Sequence, residues 1–137
     1  MVRLIAADMD GTLLNSRKEL PPHFFMLLDQ LKTLGVSFAV ASGRQYYTLL
    51  QDFQNHETEL DYICENGGLI FHRGECIYAD EMDAAMLRRT ILEIRKIPHA
   101  HIALCGVESA YYESANADFV SNMELYYHHH DQVEDLL

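Results

Sequence analysis

Asp8 and Asp10 stand two residues apart in the run Val2-Arg3-Leu4-Ile5-Ala6-Ala7-Asp8-Met9-Asp10-Gly11-Thr12-Leu13-Leu14. Carboxylates this close repel, so the pair favours either a shared proton or a bound cation. In the first case one Asp attacks an electrophile while the other, protonated, donates to the leaving group. In the second, both serve a hard divalent cation such as Mg²⁺, which takes oxygen ligands and often brings a phosphate with it. Gly11 lets the backbone turn sharply beside a ligand, and Thr12 adds a hydroxyl. Farther along, Ser42-Gly43-Arg44 offers a hydroxyl for a phosphoryl oxygen, a glycine that lets backbone N–H groups approach, and a guanidinium for an anion. Asn66, within Glu65-Asn66-Gly67-Gly68, is a further polar candidate.

These residues do chemistry together only if the chain brings them to one place. Val2, Leu4, Ile5, Ala6 and Ala7 form a short, nearly continuous apolar run, as expected of a strand buried on both faces of a parallel sheet. Pro21-Pro22 opens a helix whose Phe24, Phe25, Leu27, Leu28, Leu31 and Leu34 recur at helical spacing, with Gly35 as its cap. Val36 to Ala41 is the second strand, so the order strand–helix–strand predicts a right-handed parallel unit. Ser42 then falls on the same rim as Asp8. Tyr46, Leu49, Leu50 and Phe53 predict a short helix, and Tyr62-Ile63-Cys64 a third strand that places Asn66 near that rim too. In open α/β sheets, ligands bind in the crevice at the carboxyl ends of the strands. Leu69–Phe71 and Cys76–Tyr78 flank His72-Arg73-Gly74-Glu75, a hairpin signal.

The pattern changes near Asp80. Asp83 caps a helix expected to run to Ile97 and to end at Pro98. His101–Leu104 and Ala110–Glu113 read as two strands around Gly106, and Asn116–Tyr127 as another helix. This predicts a second, small α+β unit. His128-His129-His130 reads as a solvated turn, because neighbouring side chains on a strand point to opposite faces and do not converge on one metal.

With 137 residues the chain is the size of one ordinary domain. Lys+Arg 10 against Asp+Glu 21 leaves a net charge of −11, which argues against nucleic-acid or anionic-membrane partners. No signal peptide precedes the first strand, no apolar run reaches membrane-spanning length, and Cys64, Cys76 and Cys105 lack metal-type spacing. A cytoplasmic protein with reduced thiols is expected.

An apolar strand followed by Asp8-Met9-Asp10-Gly11-Thr12 resembles the first motif of the haloacid dehalogenase superfamily of phosphohydrolases, and Ser42 matches its second. Glu65-Asn66-Gly67 resembles a segment of the Cof-type subfamily, often beside the substrate. The resemblance implies a Rossmann-like α/β core, here incomplete, over residues 1–80, and the start of an inserted α+β cap over 81–137. It implies Mg²⁺-dependent hydrolysis of small phosphorylated metabolites. Asp8 would be the nucleophile and Asp10 the acid/base. Mg²⁺ would be held by the Asp8 carboxylate and the Asp10 backbone carbonyl. Thr12, Ser42, Gly43, Arg44 and Asn66 are the phosphate or substrate candidates.

Two further family motifs should follow the cap: a Lys, and an acidic Gly-Asp segment completing the metal site. The sequence has no Gly-Asp pair, and Lys18, Lys32 and Lys96 all precede or lie within the cap region. The chain is therefore expected to be the N-terminal portion of a longer phosphatase. The first strand, deprived of a neighbour, is expected to offer an edge for self-association. Two alternatives stand beside hydrolysis: a non-catalytic phosphate- or metal-binding fragment, and a receiver-like phosphoacceptor domain. The position of the motif on the first strand argues against the receiver.

Overall fold

The computed structural model describes residues 1–137. Its larger sheet carries five strands in the order β1-β2-β3-β4-β5. β1 (Leu4–Asp8), β2 (Ser37–Ala41) and β3 (Asp61–Cys64) run parallel, with Asp8 level with Ala41, and Ala41 level with Ile63. The carboxyl ends of all three strands thus share one rim. β4 (Leu69–His72) and β5 (Glu75–Ala79) return antiparallel as the predicted hairpin. Its two turn residues, Arg73 (φ 51°) and Gly74 (φ 86°), both take the left-handed conformation that suits a tight hairpin.

Helix α1 (Phe24–Thr33) makes the crossover from β1 to β2. It ends at Gly35, whose φ of 69° allows Gly35 N–H to donate to Lys32 O and Val36 N–H to Leu31 O. That pair of bonds satisfies two terminal carbonyls. Helix α2 (Tyr46–Asp52) follows β2. Phe24 and Leu28 of α1 and Tyr46 and Leu49 of α2 join Val40, Tyr62 and Phe71 in one buried cluster. The Tyr46 ring stacks on Phe71 at 3.7 Å. Both helices therefore cover the same face of the sheet. Leu4 and Tyr78, on the opposite face by alternation, remain 54 % and 48 % exposed.

Helix α3 (Ala84–Ile94) begins where Asp83 accepts the Met86 N–H, and it stops one turn short of the predicted Ile97. A second sheet follows, in the order β6-β7-β8. β6 (Leu104–Cys105) is shorter and later than the predicted His101–Leu104, and β7 (Ala110–Tyr112) pairs with it antiparallel. Helix α4 (Ala117–Tyr126), capped by the Asn116 side chain, packs Met123 against Ala110 and Tyr112. β8 (His130–Gln132) lies parallel to β7. The histidine triplet is predicted only as a turn. His128 and His129 do form an exposed bend, but His130 opens a strand because β7 offers it a partner. No helix is long and apolar enough to cross a membrane.

Candidate functional site

At the shared rim, Asp8, Ser42, Gly43, Asn66 and Gly67 line a cavity of about 300 Å³ with Ala41 and Ile63. Three of the sequence candidates come from three different strand ends, and the parallel register is what brings them together. Three backbone bonds tie the loops after β2 and β3: Ser42 N–H to Ile63 O, Asn66 N–H to Ser42 O and Glu65 N–H to Arg44 O. Asn66 adopts φ 56° and ψ 28°, a left-handed conformation in which Asn is among the better tolerated residues. A Cβ on Gly43 would lie 2.8 Å from Asn66 Oδ1, so glycine is what lets the Asn66 side chain seat against this loop.

The Ser42 hydroxyl oxygen accepts the Arg44 N–H at 3.2 Å, which leaves its own proton free to donate into the cavity. Asp8 is exposed at the rim. Beyond it, Leu13 N–H donates to Asp8 O and Leu14 N–H to Met9 O, folding the loop back on itself. Met9 and Leu14 are buried, and they anchor that fold.

Asp10 faces a different set of partners. Arg44 Nη2 donates to both of its carboxylate oxygens, at 2.8 and 3.1 Å, and Lys18 Nζ donates to Oδ1. The Lys18 ammonium, reinforced by the Arg44 guanidinium, holds the Asp10 carboxyl below the usual carboxylate range. Arg44 also donates through Nη1 to Asp52 Oδ2 at 3.1 Å. Burial raises the Asp52 carboxyl despite that guanidinium. Chemically, the arrangement pairs a carboxylate open to the cavity, Asp8, with one held ionised, Asp10. An ionised carboxylate accepts a proton; to donate one, Asp10 must first be released from Lys18 and Arg44.

Thr12 is exposed, lines no part of the cavity and makes no side-chain hydrogen bond. Arg44 engages two carboxylates of the chain and does not line the cavity. Lys18 and Asp52 enter the charge network without having been singled out from the sequence. Lys18 sat in a polar loop with no motif around it, and Asp52 reaches Arg44 only because α2 folds back beside β2. Glu65 belongs to the segment that resembles the Cof-type one, where only Asn66 is a candidate by sequence. Burial raises its carboxyl, and its buried Oε1 has no hydrogen-bond partner.

The oxygen donors present suit a hard cation. The Asp8 carboxylate is open, and the Asp10 carbonyl accepts no backbone hydrogen bond. No cluster of three or more acidic, His or Cys side chains surrounds them.

A family model of haloacid dehalogenase-like hydrolases matches residues 5–136. Over 136 residues the chain is 33 % identical to the 5-amino-6-(5-phospho-D-ribitylamino)uracil phosphatase YbjI of Escherichia coli, covering 98 % of this chain and 50 % of that protein. The pyridoxal phosphate phosphatase YbhA of Escherichia coli is 26 % identical over 113 residues, covering 81 % of this chain and 41 % of the relative. The crystal structure of SMU.1108c from Streptococcus mutans superposes with a TM-score of 0.82 at 28 % identity, over 98 % of this chain and 52 % of that one. The chain spans about half the length of these relatives.

Proposed function

This chain belongs to the haloacid dehalogenase-like hydrolase family, and from that premise we propose that the complete protein hydrolyses a small phosphorylated metabolite. The observation that carries the reading is the cavity in which Asp8, Ser42 and Asn66 meet at the ends of three parallel strands. The similarity to YbjI and YbhA, phosphatases of a phosphoribitylamino-uracil and of pyridoxal phosphate, supports a metabolite substrate.

In this reading an Asp8 carboxylate oxygen attacks phosphorus, the bond to the leaving oxygen breaks, and an aspartyl phosphate forms. The Ser42 hydroxyl and the backbone around Gly43 bind phosphoryl oxygens, and Asn66 orients the substrate. Arg44 positions Asp10, while Thr12 keeps a hydroxyl in solvent at the mouth of the loop. Asp10, ionised at rest, takes a proton from the water that cleaves the aspartyl phosphate. It protonates the leaving oxygen only when, released from Lys18 and Arg44, it has first taken up a proton from solvent. Mg²⁺, held by the Asp8 carboxylate and the Asp10 carbonyl, would supply charge stabilisation at the phosphoryl oxygens.

Residues 1–80 are the catalytic core in this reading and 81–137 the beginning of a cap over it. The two separate hydrophobic clusters support that division. Three free cysteines fit a reducing, cytoplasmic setting.

A second reading, phosphate binding without turnover by residues 1–137 alone, is favoured by the clamp of Lys18 and Arg44 on Asp10. Turnover of p-nitrophenyl phosphate separates the two. The complete protein should turn it over and its Asp8→Asn variant should not, with unchanged thermal unfolding. Wild-type turnover by Asp8→Asn would remove Asp8 from the nucleophile's role.

A further inference from the structure

Local forces alone do not favour a carboxylate at Asp52. It is the last residue of α2, and the last turn of that helix carries no basic side chain. A helix C-terminus bears partial negative charge, so a carboxylate there is disfavoured unless a cation answers it. That cation is Arg44, whose Nη1 donates to Asp52 Oδ2 at 3.1 Å, with the two side chains only 27 % and 30 % exposed. Both partners stand on fixed backbone. The Arg44 N–H donates to Ser42 Oγ, and the Arg44 carbonyl accepts the Glu65 N–H. Leu49 and Phe53, both fully buried, anchor the end of α2.

Arg44 meets Asp10 with one nitrogen only. Nη2 donates to both Asp10 oxygens, at 2.8 and 3.1 Å, while Nη1 is given to Asp52. The strongest contact between an arginine and a carboxylate is a fork, in which two nitrogens make parallel bonds to the two oxygens. With Nη1 occupied, an end-on fork on Asp10 is closed off. Lys18, the other partner of Asp10, is 66 % exposed, and ion pairs in water hold weakly. The Arg44 contact is therefore the one that decides how firmly Asp10 is clamped.

We propose that Asp52 is a positioning residue, which holds one nitrogen of the Arg44 guanidinium and so keeps Arg44 from closing a fork on Asp10. The consequence for turnover rests on the phosphatase reading; the sharing of Arg44 does not. Once Arg44 Nη2 lets go, the guanidinium stays anchored by Asp52 and does not follow Asp10. Asp10, loaded with a proton from solvent, passes it to the leaving oxygen as the bond from that oxygen to phosphorus breaks, and is ionised again. Without Asp52, both Arg44 nitrogens turn to Asp10 and this step slows.

Two measurements test the proposal. The first needs no catalysis and follows urea unfolding of the 137-residue chain. Asp10→Ala should lower the midpoint more in the Asp52→Ala background than alone, because the fork it destroys there is the firmer contact. The difference should vanish when Arg44→Met is added, whereas simple repulsion between the two carboxylates would survive that change. An equal loss in both backgrounds, or a difference that persists without Arg44, would overturn the proposal. The second measurement uses the complete protein and two esters. The leaving group of p-nitrophenyl phosphate departs without a proton, and that of glycerol phosphate does not. Asp52→Ala should lower the ratio of the glycerol phosphate rate to the p-nitrophenyl phosphate rate about tenfold, a part of what general acid help contributes. Asp52→Asn, which keeps an acceptor for Nη1, should lower it less. Equal slowing of both esters is what a merely structural role gives, and would overturn the positioning role. Turnover of neither ester by the wild-type protein, with the urea midpoints as expected, would overturn the phosphatase reading and leave the sharing of Arg44 standing.

Discussion

Asp10 shows how much a single side chain's neighbours decide. The spacing of Asp8 and Asp10 was legible in the sequence, and so was their place at the end of a parallel strand, but that strand is exposed along most of its length instead of buried on both faces, because it pairs on one side only. What the sequence did not reveal was that the two would be so differently placed. Lys18 arrives from a loop and Arg44 from the loop after the next strand, and of the two motif carboxylates both bind only Asp10. Because the folded-state carboxyl is held low, its ionisation stabilises the fold at neutral pH, and that contribution is lost as pH falls through the lowered value. Lys18→Met should therefore raise the Asp10 carboxyl toward the ordinary carboxylate value and flatten the acid limb of stability against pH. Carbon-detected NMR titration of the Asp10 carboxyl checks this; an unmoved midpoint would leave Lys18 without influence.

At the scale of elements, the features with a local physical cause were the ones that could be read in advance. Gly35 ends α1 because only a residue at ease with φ 69° lets the final carbonyls find partners. A Cβ there meets nothing within 4 Å, so the cost of Gly35→Ala is purely one of backbone conformation. It should destabilise the protein by about 1 kcal/mol, measured by urea unfolding with an unchanged m-value. Arg73-Gly74 and Asp83 were legible for the same reason: a turn and a cap are set by residues adjacent in sequence. The bounds of β6 and the whole of β8 were not, because each is a short segment made a strand by pairing with β7, and no local pattern announces a partner. Thr12 illustrates the same limit at the site. It sits in the motif, yet the loop closed by Leu13 and Leu14 leaves its hydroxyl in solvent.

For the whole molecule, the exposed edge of β1 and the placement of the second unit have separate consequences. β1 pairs only with β2, and Leu4 lies exposed on the uncovered face. The 137-residue chain should self-associate through this strand, and Leu4→Lys should reduce the association. Light scattering that finds a monomer at every concentration would rule this out. The second unit, meanwhile, is joined to the first by the stretch around residues 80–83, but it is also held at a distance from that joint. Gln45 grips both backbone groups of His129, Thr48 donates to Tyr126 O, and His128 N–H donates to Thr48 Oγ1. The covalent joint acts as a tether and α2 as the bearing. Lengthening the tether by a few residues costs little, since closure entropy grows only logarithmically with length. Removing the bearing should not be so mild: Gln45→Ala should speed hydrogen exchange at the His128 and His129 amides while leaving the amides of α1 unchanged. Two side chains of one short stretch beside the phosphate end, Gln45 and Thr48, thus hold a strand and a helix end that lie some eighty residues later in the chain.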